Sequence, residues 1–282
     1  MNGSELPFTF ECDGEALLGV LHTPAVEAAT GVLIVVGGPQ YRVGSHRQFV
    51  LLARHLADAG VPVLRFDYRG MGDSSGEPRD FEQIDDDIRC AIDELLRRCP
   101  SVTRVVLFGL CDAASAALMY ASGDERVAGV ALLNPWVRGI DTLAKTYLKH
   151  YYLQRFLQQD FWTKLLRGKF SLRRSLNELL ENLRRALGFA TASAGAPARV
   201  PFQRRMLESL QNFHRPVFLG ISGRDLTAAE FLGAVNGSAD WVHALRAAKL
   251  TRCELPEADH TCSRRIWRDA LAAQIVSWVR ST

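Results

Sequence analysis

Short apolar runs that alternate with amphipathic segments constrain the fold of this 282-residue chain more than any other feature. In the first half, each run ends in a glycine-rich or polar loop. The runs cover residues 31–37, 61–66, 105–109 and 127–133. A continuous apolar run of this length is typical of a strand buried on both faces of a parallel sheet. Because such strands need crossover connections, the pattern predicts an α/β fold with helices on both faces of a mostly parallel sheet.

The remaining periodicities complete this outline. Alternating residues on both sides of Asp13-Gly14 predict a β-hairpin. Further strands are predicted over 216–222 and 251–255, and helices over 48–59, 85–98, 113–121, 241–250 and 266–280. Residues 142–187 have helical spacing and no strand candidate. We therefore predict an α/β core in two parts, 1–136 and 214–282, interrupted by a helical basic cap insertion, 137–213.

The predicted insertion carries an unusual charge. It holds 14 Arg and Lys residues against 5 Asp and Glu, although the net charge of the chain is only +3. Aromatic residues such as Tyr151 and Trp162 lie among cations such as Lys145, Lys149 and Arg155. Two interpretations stay open: ordinary packing with a solvated charged face, or a lid that contacts an acyl carrier or the surface of a membrane. No nucleic-acid motif accompanies the charge, so nucleic-acid binding is not expected.

Composition and cysteine spacing exclude several classes of protein. Six cysteines are scattered without CxxC pairs, so neither a disulfide framework nor a zinc site is expected. No apolar run reaches about 18 residues, and residues 1–10 lack the features of a secretory signal. We expect a cytoplasmic protein that uses no metal and no cofactor. The sequence does not indicate the oligomeric state.

Cys111 is the candidate nucleophile. The apolar run 105–109 leads through Gly109-Leu-Cys111-Asp-Ala113 directly into helical spacing, and small residues two positions on either side permit a tight strand-to-helix turn. The start of a helix also favours the thiolate over the thiol. A cysteine after a buried strand is more often inert packing, however, so the assignment depends on its partners.

Two later residues supply those partners. Asp225 follows the apolar run 216–222, and His260 follows the predicted strand 251–255. The carboxyl ends of parallel strands converge on one crevice, so the three side chains are expected to meet there. The order nucleophile, acid, histidine supports the same assignment. We predict Cys111 as nucleophile, His260 as base and Asp225 as the residue that orients the imidazole.

Two further motifs resemble those of the α/β-hydrolase superfamily. Gly37-Gly38-Pro39-Gln40 resembles its oxyanion loop, and residues 65–74 (RFDYRGMGDS) resemble its RxDxRGxGxS turn, which braces the site. The resemblance covers nearly the whole chain and implies an α/β-hydrolase fold with the helical insertion as its cap. Within the superfamily, residues 36–47 (VGGPQYRVGSHR) and 109–115 (GLCDAAS) resemble the exosortase A system-associated hydrolases of type 1. That resemblance implies a place beside bacterial exopolysaccharide and protein-sorting machinery.

The sequence departs from the superfamily pattern at two points. Cysteine replaces the usual serine, and the oxyanion loop lacks the common His-Gly start. Pro39 has no amide proton and cannot donate to an oxyanion. The predicted donors are the amide of Asp112 and one near Gly38 or Gln40, and the choice between the last two stays open.

The predicted reaction is acyl transfer through an acyl-cysteine, with a small-molecule or carrier-bound ester or thioester as substrate. Two alternatives stay open: an acyltransferase with the same triad, and a binding module that keeps the fold without catalysis. His46-Arg47 is expected either to contact substrate or to cap the helix that follows. Asp85-Asp86-Asp87 is expected to cap the helix 85–98 and to complement the dipole at its start.

Overall fold

An eight-stranded sheet forms the centre of the computed structural model, which describes residues 4–38, 40–138 and 200–282. Its strands are β1 (Ser4–Cys12), β2 (Glu15–Thr23), β3 (Thr30–Val35), β4 (Val63–Phe66), β5 (Arg104–Leu110), β6 (Val127–Leu133), β7 (Val217–Ser222) and β8 (Leu250–Leu255). The strands lie in the order β1-β2-β4-β3-β5-β6-β7-β8. Both pairings made by β2 are antiparallel and the other five are parallel. The predicted mostly parallel sheet is confirmed.

Helices cover both faces of this sheet. Within the described ranges they are α1 (Gln48–Asp58), α2 (Asp85–Arg98), α3 (Asp112–Ala121), α4 (Phe202–Asn212), α5 (Leu226–Asn236), α6 (Ala239–Ala247) and α7 (Arg265–Ser281). The side chains of β3 alternate between two cores. Val32 and Ile34 pack with α1 and α7, whereas Leu33 and Val35 pack with α2 and α3. Because both faces are covered, β3 is buried and apolar from Gly31 to Val35 rather than alternating.

The predicted helix 241–250 is too long. α6 ends at Ala247 because Ala248 has an extended backbone, with φ −68° and ψ 150°. Leu250 then pairs with Val217 as the first residue of β8. The helical spacing of apolar residues in the sequence therefore extends beyond Ala247, where the helix ends.

Helix α4 lies in the range that the sequence assigned to the insertion. Its residues Met206 and Leu210 are buried in the same core as α3, and Ser209 Oγ donates to the carbonyl of Leu118 at 2.5 Å. Of the 14 cations of the predicted cap, 11 fall at 139–199, outside the described residues, and so do Tyr151 and Trp162. A helical basic cap therefore stays a prediction. Among the described helices, none is long and apolar enough to cross a membrane.

The carboxyl ends of the parallel strands all lie along one edge of the sheet. The residues that follow them there are Gly37-Gly38 after β3, Asp67 after β4, Cys111 after β5, Asn134 after β6, Asp225 after β7 and His260 after β8. Every residue predicted to act as nucleophile, base or orienting acid is therefore presented at this edge.

Candidate active site

Cys111 occupies a strained turn between β5 and α3. Its φ of 63° and ψ of −124° are rare for a residue with a side chain, and such conformations cost on the order of 1–3 kcal/mol. A Cβ atom on Gly109 would overlap the carbonyl of Ala113, so the turn requires glycine at that position. The backbone of Cys111 is fixed on both sides, since its amide donates to Leu133 at 3.0 Å and its carbonyl accepts from Trp136 at 3.1 Å. These contacts hold the half-buried thiol at the edge of the sheet.

Asp225 and His260 are in direct contact. Nδ1 of His260 lies 2.8 Å from Oδ2 of Asp225. Asp225 is also the N-cap of α5, where its carboxylate accepts from the amides of Thr227 at 3.1 Å and Ala228 at 3.2 Å. Three donors thus converge on one carboxylate, and its orientation is fixed by the start of the helix. Asp225 can therefore hold Nδ1 of the imidazole as a donor, which leaves Nε2 for another partner.

That other partner is Cys111. The pKa of His260 is raised to about 10, first by its hydrogen bond with Asp225 and then by the neighbouring thiol of Cys111, while burial acts in the opposite direction. The structure thus brings Cys111, His260 and Asp225 together in one chain of contacts. A proton can pass between the thiol and the imidazole, and the carboxylate stabilises the imidazolium that results.

We expect the unfolding free energy to depend on the charge of His260. A histidine whose pKa rises from 6.5 to about 10 on folding stabilises the protein fully below pH 6.5, and this contribution disappears as pH rises through about 10. The stability lost in His260→Gln should therefore be larger at pH 6 than at pH 10. The difference should be about 1–2 kcal/mol after allowance for solvent, which reaches 33% of the side chain.

Urea unfolding of both proteins at the two pH values measures this difference. His214→Gln, which changes an exposed histidine, is the matched control. A loss in His260→Gln that is the same at pH 6 and pH 10 would contradict the charged pair.

Asn134 is a site residue that the sequence analysis missed. It is fully buried, with φ 47°, and it links two strand ends to the histidine loop. Its Oδ1 accepts from the amide of Ser222 at 2.8 Å, and its Nδ2 donates to the carbonyl of His260 at 3.1 Å. The side chain therefore positions the backbone of His260 relative to β6 and β7. A polar residue directly after a buried strand, in Leu133-Asn134, was the available signal.

The predicted oxyanion loop lies beside the start of α3. The Gly38 amide donates to Oδ2 of Asp112 at 2.8 Å, while Oδ1 of Asp112 accepts from the amide of Ala113 at 2.9 Å. No hydrogen bond within the described residues joins Gln40 to Asp112, and Gln40 Oε1 is buried without a hydrogen-bond partner there. Pro39 lies outside the described residues. Gly38 and Gln40 were the two loop residues predicted to donate to an oxyanion. Of these, Gly38 is the one whose amide contacts Asp112.

The turn after β4 braces this loop. Asp67 is completely buried, and its carboxylate accepts from the Arg42 amide at 2.6 Å and forms an ion pair with the Arg42 guanidinium. Arg65, also buried, donates to the carbonyl of Arg42 at 2.7 Å and to His22 Nε2 at 2.8 Å. These contacts join the loop after β3 to the RxDxRGxGxS turn, as the resemblance implied.

Other candidate groups near this edge have less defined roles. Arg47 is at the N-cap position of α1 but makes no side-chain cap hydrogen bond, so the capping interpretation of His46-Arg47 is not supported. Both residues have positive φ, 52° and 60°. Contact with substrate stays a prediction for this pair.

Across the part of the chain that the structure describes, no group of three or more His, Cys, Asp or Glu side chains is arranged to hold a metal ion.

Several solved structures share this fold. The esterase Pf2001 of Pyrococcus furiosus is similar with a TM-score of 0.65 and 14% identity, over 99% of this chain and 93% of that chain. Est1E of Butyrivibrio proteoclasticus, solved with ferulic acid bound, has a TM-score of 0.63 and 16% identity, over 97% and 98% of the two chains. A dienelactone hydrolase of Anabaena variabilis has a TM-score of 0.61 and 16% identity, over 100% and 99%. At these identities the similarity establishes the fold alone.

Sequence comparison identifies the family. The human protein ABHD12B is 36% identical over 78 residues, which are 28% of this chain and only 20% of the human protein. The similarity to this relative therefore spans about a fifth of its length. The sequence model of the alpha/beta hydrolase family matches residues 32–274, which include all three residues of the Cys111–His260–Asp225 chain. This chain belongs to the alpha/beta hydrolase family.

Proposed function

We propose that this protein hydrolyses ester or thioester bonds through a covalent acyl-cysteine. The observation that carries the proposal is the chain of contacts from Cys111 through His260 to Asp225 at the carboxyl edge of the sheet. In this scheme His260 takes the thiol proton, Asp225 stabilises the imidazolium, and the thiolate of Cys111 attacks the acyl carbonyl. The tetrahedral intermediate then collapses, the bond to the leaving group breaks, and the leaving group takes the proton from His260. The neutral His260 next accepts a proton from the water that attacks the acyl-cysteine, and it returns this proton to the Cys111 sulfur as the acid is released.

The identity of the nucleophile narrows the substrate class. A thiolate is a good nucleophile at neutral pH and also a good leaving group, so the tetrahedral intermediate returns to reactants unless the substrate's own leaving group departs readily. Thiols, activated alcohols and lactone oxygens meet this condition better than amines do. We therefore place thioesters and activated esters ahead of amides.

The setting of the reaction is part of the proposal. The resemblance of residues 36–47 and 109–115 to exosortase A system-associated hydrolases supports a role beside exopolysaccharide or protein-sorting machinery. The basic residues predicted for the cap would then meet a carrier-bound acyl group, or the surface of a membrane. Transfer to an acceptor other than water would share the same acyl-cysteine, and competition between water and an added thiol separates the two outcomes.

The test is intact-mass analysis after brief exposure to p-nitrophenyl acetate or an acyl thioester. We expect one acyl adduct on the wild type and none on Cys111→Ala. In His260→Ala the adduct should form at least about a hundredfold more slowly, because the thiol loses its base. Cys90→Ala, which removes another half-buried thiol, is the matched control and should acylate like the wild type.

Two results would overturn the proposal. An adduct that persists in Cys111→Ala would assign the reaction to a different nucleophile. Folded wild type that forms no adduct and releases no product with either donor would instead favour a binding module that keeps the fold without catalysis.

A further inference from the structure

The carboxylate of Asp112 lies where an oxyanion would be stabilised. In the mechanism above, the negative oxygen of the tetrahedral intermediate needs backbone amides at the start of α3 and in the loop after β3. The Gly38 amide is one of the two predicted loop donors, yet its hydrogen is already donated to Asp112 Oδ2 at 2.8 Å. An amide has a single hydrogen, so Gly38 cannot serve a substrate oxygen while this bond is intact.

The position of Asp112 is built into the surrounding backbone. Its other oxygen accepts from Ala113 at 2.9 Å, at the start of α3. A Cβ atom on Gly37 would overlap Asp112 Oδ1, so the glycine provides the space that this oxygen occupies. The carboxylate thus occupies the space between the loop after β3 and the first residues of α3. The start of a helix favours a negative charge at this position.

Burial acts against this arrangement. It raises the pKa of the Asp112 carboxyl, while hydrogen bonds from the amides of Gly38, Ala113 and Asp112 itself act in the opposite direction. The nearby carboxylate of Asp80 also raises the pKa. The same amides that hold the carboxylate are thus the ones that offset the free-energy cost of burying its charge.

We propose that the carboxylate of Asp112 accepts the hydrogen bond from the Gly38 amide that an oxyanion would otherwise receive. This side chain must therefore turn away from Gly38 before Cys111 can be acylated. This inference rests on the proposed function, and it adds a residue that limits which acyl donors react. A donor gains the Gly38 hydrogen bond only by displacing an ionised acceptor, so acylation of the wild type is slower than the Cys111–His260–Asp225 geometry alone would allow.

Two reactions at the same thiol test the proposal. Acylation by p-nitrophenyl acetate develops an oxyanion, whereas alkylation by iodoacetamide is a displacement at carbon that develops none. We expect the ratio of the acylation rate to the alkylation rate to rise about tenfold or more in Asp112→Ala, because the Gly38 amide becomes free. Asp112→Asn keeps an oxygen that can accept from Gly38, so its gain should be smaller. Asp240→Ala, at an exposed position on α6, is the control and should change neither rate.

A ratio of acylation to alkylation that is unchanged or lower in Asp112→Ala would overturn the proposal. Acylation at the wild-type rate followed by accumulation of acyl-enzyme would also overturn it, because Asp112 would then act in the second step.

A second measurement does not depend on catalysis. Gly37-Gly38 is the one Gly-Gly pair in the sequence, so glycine labelled with ¹³C at the carbonyl and ¹⁵N at the amide isolates the Gly38 signal. Loss of the carboxylate acceptor in Asp112→Ala should move the Gly38 amide proton upfield. A signal that stays in place overturns the inference even if acylation succeeds. If wild type forms no acyl adduct, the proposed function fails, while this signal still decides whether Asp112 occupies the amide.

Discussion

Asp225→Asn is expected to lower the rate of Cys111 acylation by roughly a thousandfold without unfolding the protein. An asparagine at this position can donate from its Nδ2 to Nδ1 of His260. The imidazole proton would then move to Nε2, and Nε2 would no longer accept the proton of the Cys111 thiol. The expected loss thus comes from the wrong tautomer and from the missing charge opposite the imidazolium.

The same substitution leaves the other function of Asp225 in place. Asparagine is as good an N-cap as aspartate, because its Oδ1 can still accept from the amide of Thr227 at the start of α5. The bond from the amide of Ala228 is lost, since that amide donates to the same oxygen that faces His260. The unfolding free energy should fall by no more than about 1 kcal/mol. A chemical role and a capping role are therefore separable in one variant.

Pre-steady-state release of p-nitrophenolate over a range of pH gives the required readout. Asp225 is the largest cause of the raised pKa of His260, so the pKa seen in the rate profile should fall in Asp225→Asn. Asp240→Asn makes the same chemical change at an exposed position and should match wild type. If Asp225→Asn kept acylation within about fivefold of wild type, His260 would not need this carboxylate and the triad assignment would be wrong.

The bounds of a helix could be predicted from the sequence where its apolar residues recur at a clear helical spacing. Helix α2 was predicted as residues 85–98 and has those bounds, because its buried side chains Ile88, Ile92 and Leu95 recur at helical spacing. Helix α5 was missed because apolar and small residues occur all around it, which leaves no polar face to mark its period.

The site was predictable for a related reason. Cys111 and Asp225 each follow a strand that could be recognised by its apolar run, and His260 follows the strand predicted over 251–255. A parallel sheet brings such positions to one edge. Their catalytic roles stay predictions. The carboxylate of Asp112 could not have been placed in the same way, because only the packing of the loop after β3 against α3 brings it to Gly38.

The acidic run in the first turn of α2 shows where local interpretation was partly wrong. The sequence favoured helix capping and dipole complementation for Asp85-Asp86-Asp87. All three lie in the first turn, where a negative charge complements the dipole, but the N-cap position is Ile84 and no side chain caps the helix there. Asp87 instead points into the protein, where its two oxygens bind the Nε and Nη2 atoms of Arg69 at 3.0 and 2.9 Å. Capping is a contact between near neighbours, whereas this pair joins α2 to the turn after β4. Only the fold determines that partner.

Asp87→Ala is expected to destabilise the protein by about 3–5 kcal/mol, the largest stability effect that we predict. Asp87 is fully buried and Arg69 is 3% exposed, so the substitution leaves an arginine charge in the interior. Asp13, which is half exposed, remains as a partial partner at 2.7 Å. The backbone amide of Arg69 also loses its acceptor, since it donates to Asp87 Oδ1 at 2.8 Å.

Urea unfolding of two further variants separates the buried charge from local disruption. Asp86→Ala changes the adjacent carboxylate, which is mostly exposed and lies 4.0 Å from Arg69, so its loss should stay below about 1 kcal/mol. Arg69→Met combined with Asp87→Leu removes both charges, and it should recover most of the stability because no ion remains buried. Recovery should stop short of wild type by about 1–3 kcal/mol, because the amide of residue 69 still lacks an acceptor. Equal losses in Asp86→Ala and Asp87→Ala would show instead that α2 responds to its total charge, and that the contact with the turn after β4 contributes little.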